Sequence, residues 1–259
     1  MKQGNLLELA KCQNSDINWK SYIFNMKRGT MKFALNACLD TLPHNANLKQ
    51  WGRSPTDRCP LPGCGLRQTT GHILSSCKIA LNQGRLTWRH DGILNYISQV
   101  IDKSRFEVYI DIDGHKTPGD GTIPASMGIV TLDRPDIVIL DHKEKCVNFF
   151  ELTVSFEMGT DAAHTFKKNK YAYLLTDVTA LTPNLVPFEV GARGYVTPQN
   201  KDRLKLLHKY CKPGLKLKSF VDSVSALAVN ASYFLFISRK DPSWSDPPFL
   251  GTPFLHDKN

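Results

Sequence analysis

The sequence holds 259 residues, 41% hydrophobic and 22% charged, enough apolar matter for one large core or two unequal ones and too much for a disordered or fibrous chain. Its formal net charge of +9 favours an anionic partner, nucleic acid before others, although a basic balance alone fits many roles. Seven cysteines, an odd number, argue against a disulfide framework, and no apolar run approaches the ~20 residues that span a bilayer, so no membrane partner is expected.

In chain order, the opening residues 1–13 lack the continuous apolar stretch of a secretory signal, and an intracellular, reducing setting is expected. Residues 19–42 carry Phe24, Met31, Leu35 and Leu39 near one helical face, with Pro43 as a stop and Gly29 as a weak point. From 52 to 84 the chain is rich in Gly, Pro, Cys and Thr, and with little periodicity it needs something other than a core to hold it. Helical spacing returns with Leu86, His90, Ile93, Leu94, Ile97, Val100 and Ile101. Residues 106–112 alternate as a strand ending at Asp113-Gly114, and a polar loop covers 114–128.

Two strands follow, 136–140 and 147–154, dense in β-branched and aromatic residues, and the short polar linker between them predicts a hairpin. A helix is predicted over 161–178, a strand over 187–190 ending at Gly191, and helices over 201–211 and 217–236. The last carries Asn230-Ala231-Ser232, a glycosylation triplet that an intracellular chain does not use. Many prolines after 241 predict an irregular tail. This order predicts an α/β fold with a mixed central sheet flanked by helices. A helical segment (1–51) and a small Cys/His segment (52–84) precede the main domain (85–240), and the tail (241–259) follows it.

The second segment spaces its ligand-type residues as Cys59-x4-Cys64-x7-His72-x4-Cys77. Thiolates and imidazole are the preferred ligands of zinc, and structural sites are four-coordinate and tetrahedral. Pro60-Leu61-Pro62-Gly63 would turn the chain so that both first sulfurs face one point, and Ile73 and Leu74 are placed to pack beneath. A structural zinc knuckle is expected. Cys12, Cys38, Cys146 and Cys211 are scattered.

Arg134-Pro135-Asp136 opens the first hairpin strand, and Glu151 lies near the end of the second. With Lys143-Glu144 as a two-residue turn, Asp136 falls directly opposite Glu151, where Cβ atoms stand ~4.5–5.5 Å apart. Two carboxylates that close repel unless they share a proton or bind a cation, and oxygen-only donors suit Mg²⁺. A one-residue slip would put them on opposite faces. On the helix predicted over 161–178, the apolar arc holds Ala163, Phe166, Tyr171, Leu174 and Val178. Lys167 and Lys170 fall inside that arc and Lys168 outside it. A sheet-facing lysine wants a charged partner, although snorkelling also accounts for it.

A strand-borne Asp, a second-strand Glu and a nearby Lys resemble the PD-(D/E)xK restriction-like nuclease core. More closely, the chain resembles the C-terminal region, zinc knuckle plus restriction-like endonuclease, of site-specific non-LTR retrotransposon polyproteins. Five stretches carry the match: the Cys59, Cys64, His72, Cys77 knuckle; Arg89-His90-Asp91; Arg134-Pro135-Asp136 with Glu151-Leu152-Thr153-Val154; Lys167-Lys168-Asn169-Lys170-Tyr171; and Glu189-Val190-Gly191-Ala192-Arg193-Gly194. The match runs from about Met31 to Lys209, most of the chain.

The resemblance implies a restriction-endonuclease-like core in which Asp136 and Glu151 hold Mg²⁺ or Mn²⁺. It implies too that the lysine of E-x-K has moved from the position of Thr153 to the helix, where Lys167 and Lys170 steady the attacking water and the scissile phosphate. Arg89, His90 and Asp91 would lie near the site and contact DNA or position the metal, with Lys168 and Arg193 as accessory groups. A half-buried His90 at a helix start is the plainer alternative. The implied activity is nicking of target DNA in the nucleus, to prime reverse transcription of the element's RNA, which is then a second nucleic-acid partner.

Two departures stand out. Ser155-Phe156-Glu157 occupies the place of a Pro-Trp-Glu, and the double-Asp motif of a reverse transcriptase is missing, so that region is expected in the parent polyprotein. The alternative function is a non-catalytic nucleic-acid-binding module derived from such an element. A third, a zinc-stabilised protein-interaction domain, predicts an apolar patch instead of a basic one. The segment 201–218, with Lys201, Arg203, Lys205, Lys209, Lys212, Lys216 and Lys218 against Asp202, either tracks a DNA backbone or forms the solvated face of two helices.

Overall fold

The computed structural model describes residues 26–248, together with Asp16–Ile17 and Ile23; Phe24, Cys12 and the tail beyond 248 lie outside the described residues. The first two described residues form β1 (Asp16–Ile17), followed by α1 (Arg28–Cys38). α1 buries Thr30, Phe33, Ala34 and Ala37, while Leu35 and Leu39, expected on its inner face, are exposed. Gly29 lies on the inner side instead, so close to the Tyr233 ring that a Cβ there would meet the hydroxyl. A short α2 (Asn45–Gln50), too brief to show a period, is capped by the His44 side chain and tied to the Cys/His segment by Asn45, which donates to Arg58 O and Gln68 Oε1.

A π-turn (His72–Ser76), α3 (Lys78–Asn82) and α4 (Arg85–Val100) follow, α4 starting after Gly84 with φ +77°. The sheet is built from β2 (Glu107–Ile110), β3 (Ile137–Asp141), β4 (Cys146–Ser155) and β5 (Thr182–Gly191), in that spatial order. β2–β3 and β3–β4 are antiparallel and β4–β5 is parallel. The hairpin turn uses four residues, 142–145, instead of two, closed by the Asp141 carboxylate accepting from the amides of Lys143 and Glu144. Both turns share one centre, so the ladder, from Ile137–Phe150 to Asp141–Cys146, keeps the expected register. β5 starts five residues earlier than expected because its prolines, Pro183 and Pro187, lie on an edge strand that needs no donors on its open side.

Between β4 and β5 the predicted single helix is two: α5 (Thr160–Lys170) and α6 (Leu174–Asp177), parted by a turn at 171–173. Tyr171 breaks the run by turning inward, its hydroxyl donating to Arg134 O, and Phe166 is left 65% exposed instead of lying on the sheet. β6 (Tyr195–Val196) pairs with β1; α7 (Pro198–His208) and α8 (Leu217–Ile237) complete the fold.

Strand alternation sorts two cores. Ile137, Ile139, Phe150 and Leu152 face α4, α7 and α8, while Val138, Leu140, Val147 and Phe149 face Tyr171, Leu174 and Val178. α8 corrects the expectation that no stretch could span a bilayer: it is long and apolar enough by length and composition, but most of it is buried inside the fold. Ser223, Ser225, Asn230 and Ser232 break the run in the sequence and are themselves buried along this helix. Ile73 and Leu74 join Phe33, Ala37, Val229 and Leu235 in a further core, so the Cys/His segment packs against α1 and α8. Residues 241–248 are irregular and lie along α4, where Arg85 donates to Ser238 O and Asp241 O, and Trp88 to Pro247 O.

Candidate functional site

Two constellations carry chemistry. In the first, Cys59 and Cys64 stand on a loop closed by Cys59 N to Leu66 O and Cys64 N to Leu61 O, with Gly63 at φ +80°. His72 opens the π-turn and Cys77 follows it. The four ligand atoms lie within 4.8 Å of one another, with Cys64 Sγ 3.4 Å from His72 Nε2 and 3.8 Å from Cys77 Sγ. A tetrahedron of ~2.3 Å metal–sulfur bonds has edges of ~3.8 Å, so this cluster can hold a metal ion such as zinc. Burial pushes the Cys59 thiol up to about 12, aided by Cys77 and Cys64, and lowers the His72 imidazole. A bound dication reverses the first effect, deprotonating coordinating thiols outright.

The second constellation is at the open end of the hairpin, where side chains continue the ladder. Asp136 N donates to Glu151 Oε1 at 3.0 Å, and Leu152 N donates to Asp136 Oδ2 at 2.7 Å. Each carboxylate is therefore fixed by the opposite strand's backbone, on the face shared by Val138 and Phe149. From α5, Lys167 Nζ comes to 2.6 Å from Glu151 Oε2 and 3.7 Å from Asp136 Oδ2. From α4, His90 Nε2 is 3.2 Å from Asp136 Oδ2, and its Nδ1 is 2.9 Å from Asp91 Oδ1.

The electrostatics follow from burial and charge. Burial pushes Glu151 up to about 8 and the Asp136 charge adds to this, while Lys167 and the Asp136 amide together offset only part of the rise. Burial would raise Asp136 too, but His90 and then Lys167 outweigh it and hold this carboxyl below its usual range. Burial alone would depress His90; Asp136 and Asp91 carry it instead to about 10. The same two carboxylates outweigh burial at Lys167 and raise its amine. Burial and the Asp136 charge thus favour the protonated form of Glu151, while Asp136 faces two cations, His90 and Lys167.

Other residues named from the sequence are placed elsewhere. Lys170, the last residue of α5, turns to Asp133 Oδ1 (3.2 Å) and Tyr171 Oη (2.9 Å) instead of the carboxylates. Lys168 is exposed. Arg89 is 1% exposed and donates to Ser232 Oγ and Val154 O, bracing α4 against α8 and β4, where no DNA can reach it. Arg193 is buried against Glu157, with Nε 2.8 Å from Oε2, and stacks over Phe156. Gly191 is obligatory there, since a Cβ would occupy the space of the Glu157 carboxylate.

Two groups at the site escaped the sequence reading. Asp111, just past β2, donates its amide to Asp136 O, and its carboxylate lies near Lys116 and Arg134; only the β2–β3 pairing brings it there. Glu189 sits beside Thr153 in the parallel register, buried, and held by His164 Nδ1 (3.0 Å) and Arg203 Nη1 (2.9 Å). His164 precedes Lys167 by three residues on α5, the one sequence signal for this second pairing. Arg203 is therefore committed to Glu189 and not free in the basic stripe. No protein-family model matches the chain and no curated protein matches it, so the site is read from its own geometry.

Proposed function

We propose that this chain is a divalent-metal-dependent DNA endonuclease of the restriction-like, PD-(D/E)xK kind, the zinc-knuckle and nuclease region of a non-LTR retrotransposon-like protein that nicks target DNA in the nucleus to prime reverse transcription. The observation that carries this reading is the convergence of Asp136, Glu151 and Lys167 at the open end of one hairpin. The donor set fits a hard cation: it is oxygen-only, and Asp136 Oδ1 has no hydrogen-bond partner among the described residues. Asp136 and Glu151 would hold Mg²⁺ or Mn²⁺, which supplies phosphate polarisation and a lowered pKa for bound water. Lys167 contributes a compact positive charge for a phosphate oxygen. His90, kept protonated by Asp136 and Asp91, carries a proton at Nε2 within reach of the same point.

A second reading, a nucleic-acid-binding module that no longer cuts, is favoured by one feature. Lys167 and His90 already neutralise the carboxylates without a metal. Nicking of supercoiled plasmid by zinc-loaded protein separates the two. The endonuclease reading expects nicking in Mg²⁺ or Mn²⁺ but not Ca²⁺, abolished by Asp136→Ala or Glu151→Ala with DNA binding largely retained. Unaltered nicking by the double variant, or none by the wild type in any metal, would overturn it.

A further inference from the structure

A groove of about 790 Å³ opens where the end of α4 meets the segment after α7, lined by Asn95, Ser98 and Gln99 of α4 with Lys103, His115 and Lys212. Its walls are set by backbone bonds, Asp102 N to Tyr210 O at 2.9 Å and Lys212 N to Val100 O at 2.8 Å. Into it project three basic groups. Lys212 Nζ donates to Gln99 O, the exposed carbonyl end of α4, at 2.8 Å. Lys103 Nζ lies 3.4 Å from His115 Nδ1, a contact that needs the imidazole neutral and accepting. Burial, then Lys103, lowers His115 accordingly; burial, then Lys212, lowers Lys103. The lining's one carboxylate, Asp102, is turned to the amide and hydroxyl of Ser104. Neither amine forms an ion pair among the described residues. Lys103 and Lys212 are both exposed and have only Asp102 nearby, whose carboxylate feels the Lys212 charge, so the groove keeps a net positive charge that favours an anion.

The groove's place identifies that anion. Asp91, Asn95 and Gln99 are spaced by four residues along one face of α4, so the groove opens on the helix face that also carries the Asp91 partner of His90. At ~1.5 Å per residue, Gln99 stands about 12 Å along the helix from Asp91, the rise of three to four nucleotides in a duplex. We propose that this groove binds the phosphate backbone of the same DNA strand that the Asp136–Glu151 site acts on, a few nucleotides from the scissile bond. The inference rests on the endonuclease reading and adds a second, separate contact to it. Free phosphate shares the chemistry but not the alignment with the carboxylate site.

The test is anisotropy of a short labelled duplex over a range of salt, with wild type, Lys103→Ala/Lys212→Ala and a charge-matched control, Lys32→Ala/Lys143→Ala, all checked for unchanged thermal unfolding. The groove pair should bind roughly ten-fold more weakly near 0.1 M salt, with a log–log salt slope shallower by about 2, one unit per lost phosphate contact. The control should match wild type, and millimolar inorganic phosphate should compete only weakly. Unchanged affinity and slope in the groove pair, or an equal loss in the control, overturns the groove while leaving the endonuclease reading intact. Phosphate competing as well as duplex makes free phosphate the occupant and overturns the strand assignment. A wild type that binds no duplex overturns both.

Discussion

Glu151 is fully buried, yet its charge is opposed by its neighbour Asp136 and matched by Lys167 alone, so its proton decides the state of the site. Its folded value near 8 and that of His90 near 10 both exceed the values, 4.5 and 6.5, from which they are shifted. In each case the folded chain binds a proton that the unfolded chain has released. Stability of the zinc-loaded, magnesium-free protein should therefore fall as pH rises. The decline should be steepest between 6.5 and 8, where the two windows overlap. Calorimetry from neutral to alkaline pH checks this, and Glu151→Gln should flatten the curve; a melting temperature that rises over that range would contradict it. The two helix lysines are distinguishable in the same spirit. On the proposed endonuclease reading, Lys167→Ala should slow nicking by roughly 10²-fold, as loss of an oxyanion donor does, while Lys170→Ala should stay close to wild type because its amine serves Asp133. Spacing alone could not separate them: both fall on the inner arc of an ideal helix, and only their partners in the fold part them.

At the scale of elements, the joint between β4 and β6 is held by the Glu157–Arg193 pair, which is buried, bonded twice and roofed by Phe156. Arg193→Ala would remove the guanidinium from Glu157 and leave that buried carboxylate only the residue 193 backbone amide and the charge of Arg89, and a loss of about 3 kcal/mol in urea unfolding is expected. A loss below about 1 kcal/mol, the worth of an exposed pair, would show that water reaches Glu157. Legibility differed by element for physical reasons. The β3–β4 hairpin could be read because hydrophobic alternation and a symmetric linker fix its register whatever the turn length, and with it the meeting of Asp136 and Glu151. The four zinc-type ligands were plain from spacing. The N-terminal half of β5 was hidden by prolines that an edge strand tolerates, and the buried face of α1 by Gly29, whose meaning depends on Tyr233, some two hundred residues away. Asp111 and Glu189 acquire their roles only through strand neighbours, and no local pattern encodes those.

At the scale of the whole molecule, the Cys/His segment and the sheet domain are not independent. Ile73 and Leu74 belong to the core of α1 and α8, and Phe156 N donates to Ser75 Oγ. Stripping a metal ion held by the Cys/His cluster should therefore lower the melting temperature of the entire chain and raise amide exchange in α1 and α8, as measured by hydrogen exchange with and without a chelator. Exchange confined to residues 52–84 would instead mark an appended knuckle. α8 has a further consequence, one of timing. It covers α4 and β5 and lines two of the cores, yet it is the last helix of the described chain to be made. At about 5–20 residues per second, the nascent chain spends several seconds with its sheet uncovered while this segment is still inside the ribosome. When α8 does emerge, it is apolar enough to be taken for a membrane span. Its own unfinished core must then compete for it against chaperones and lipid.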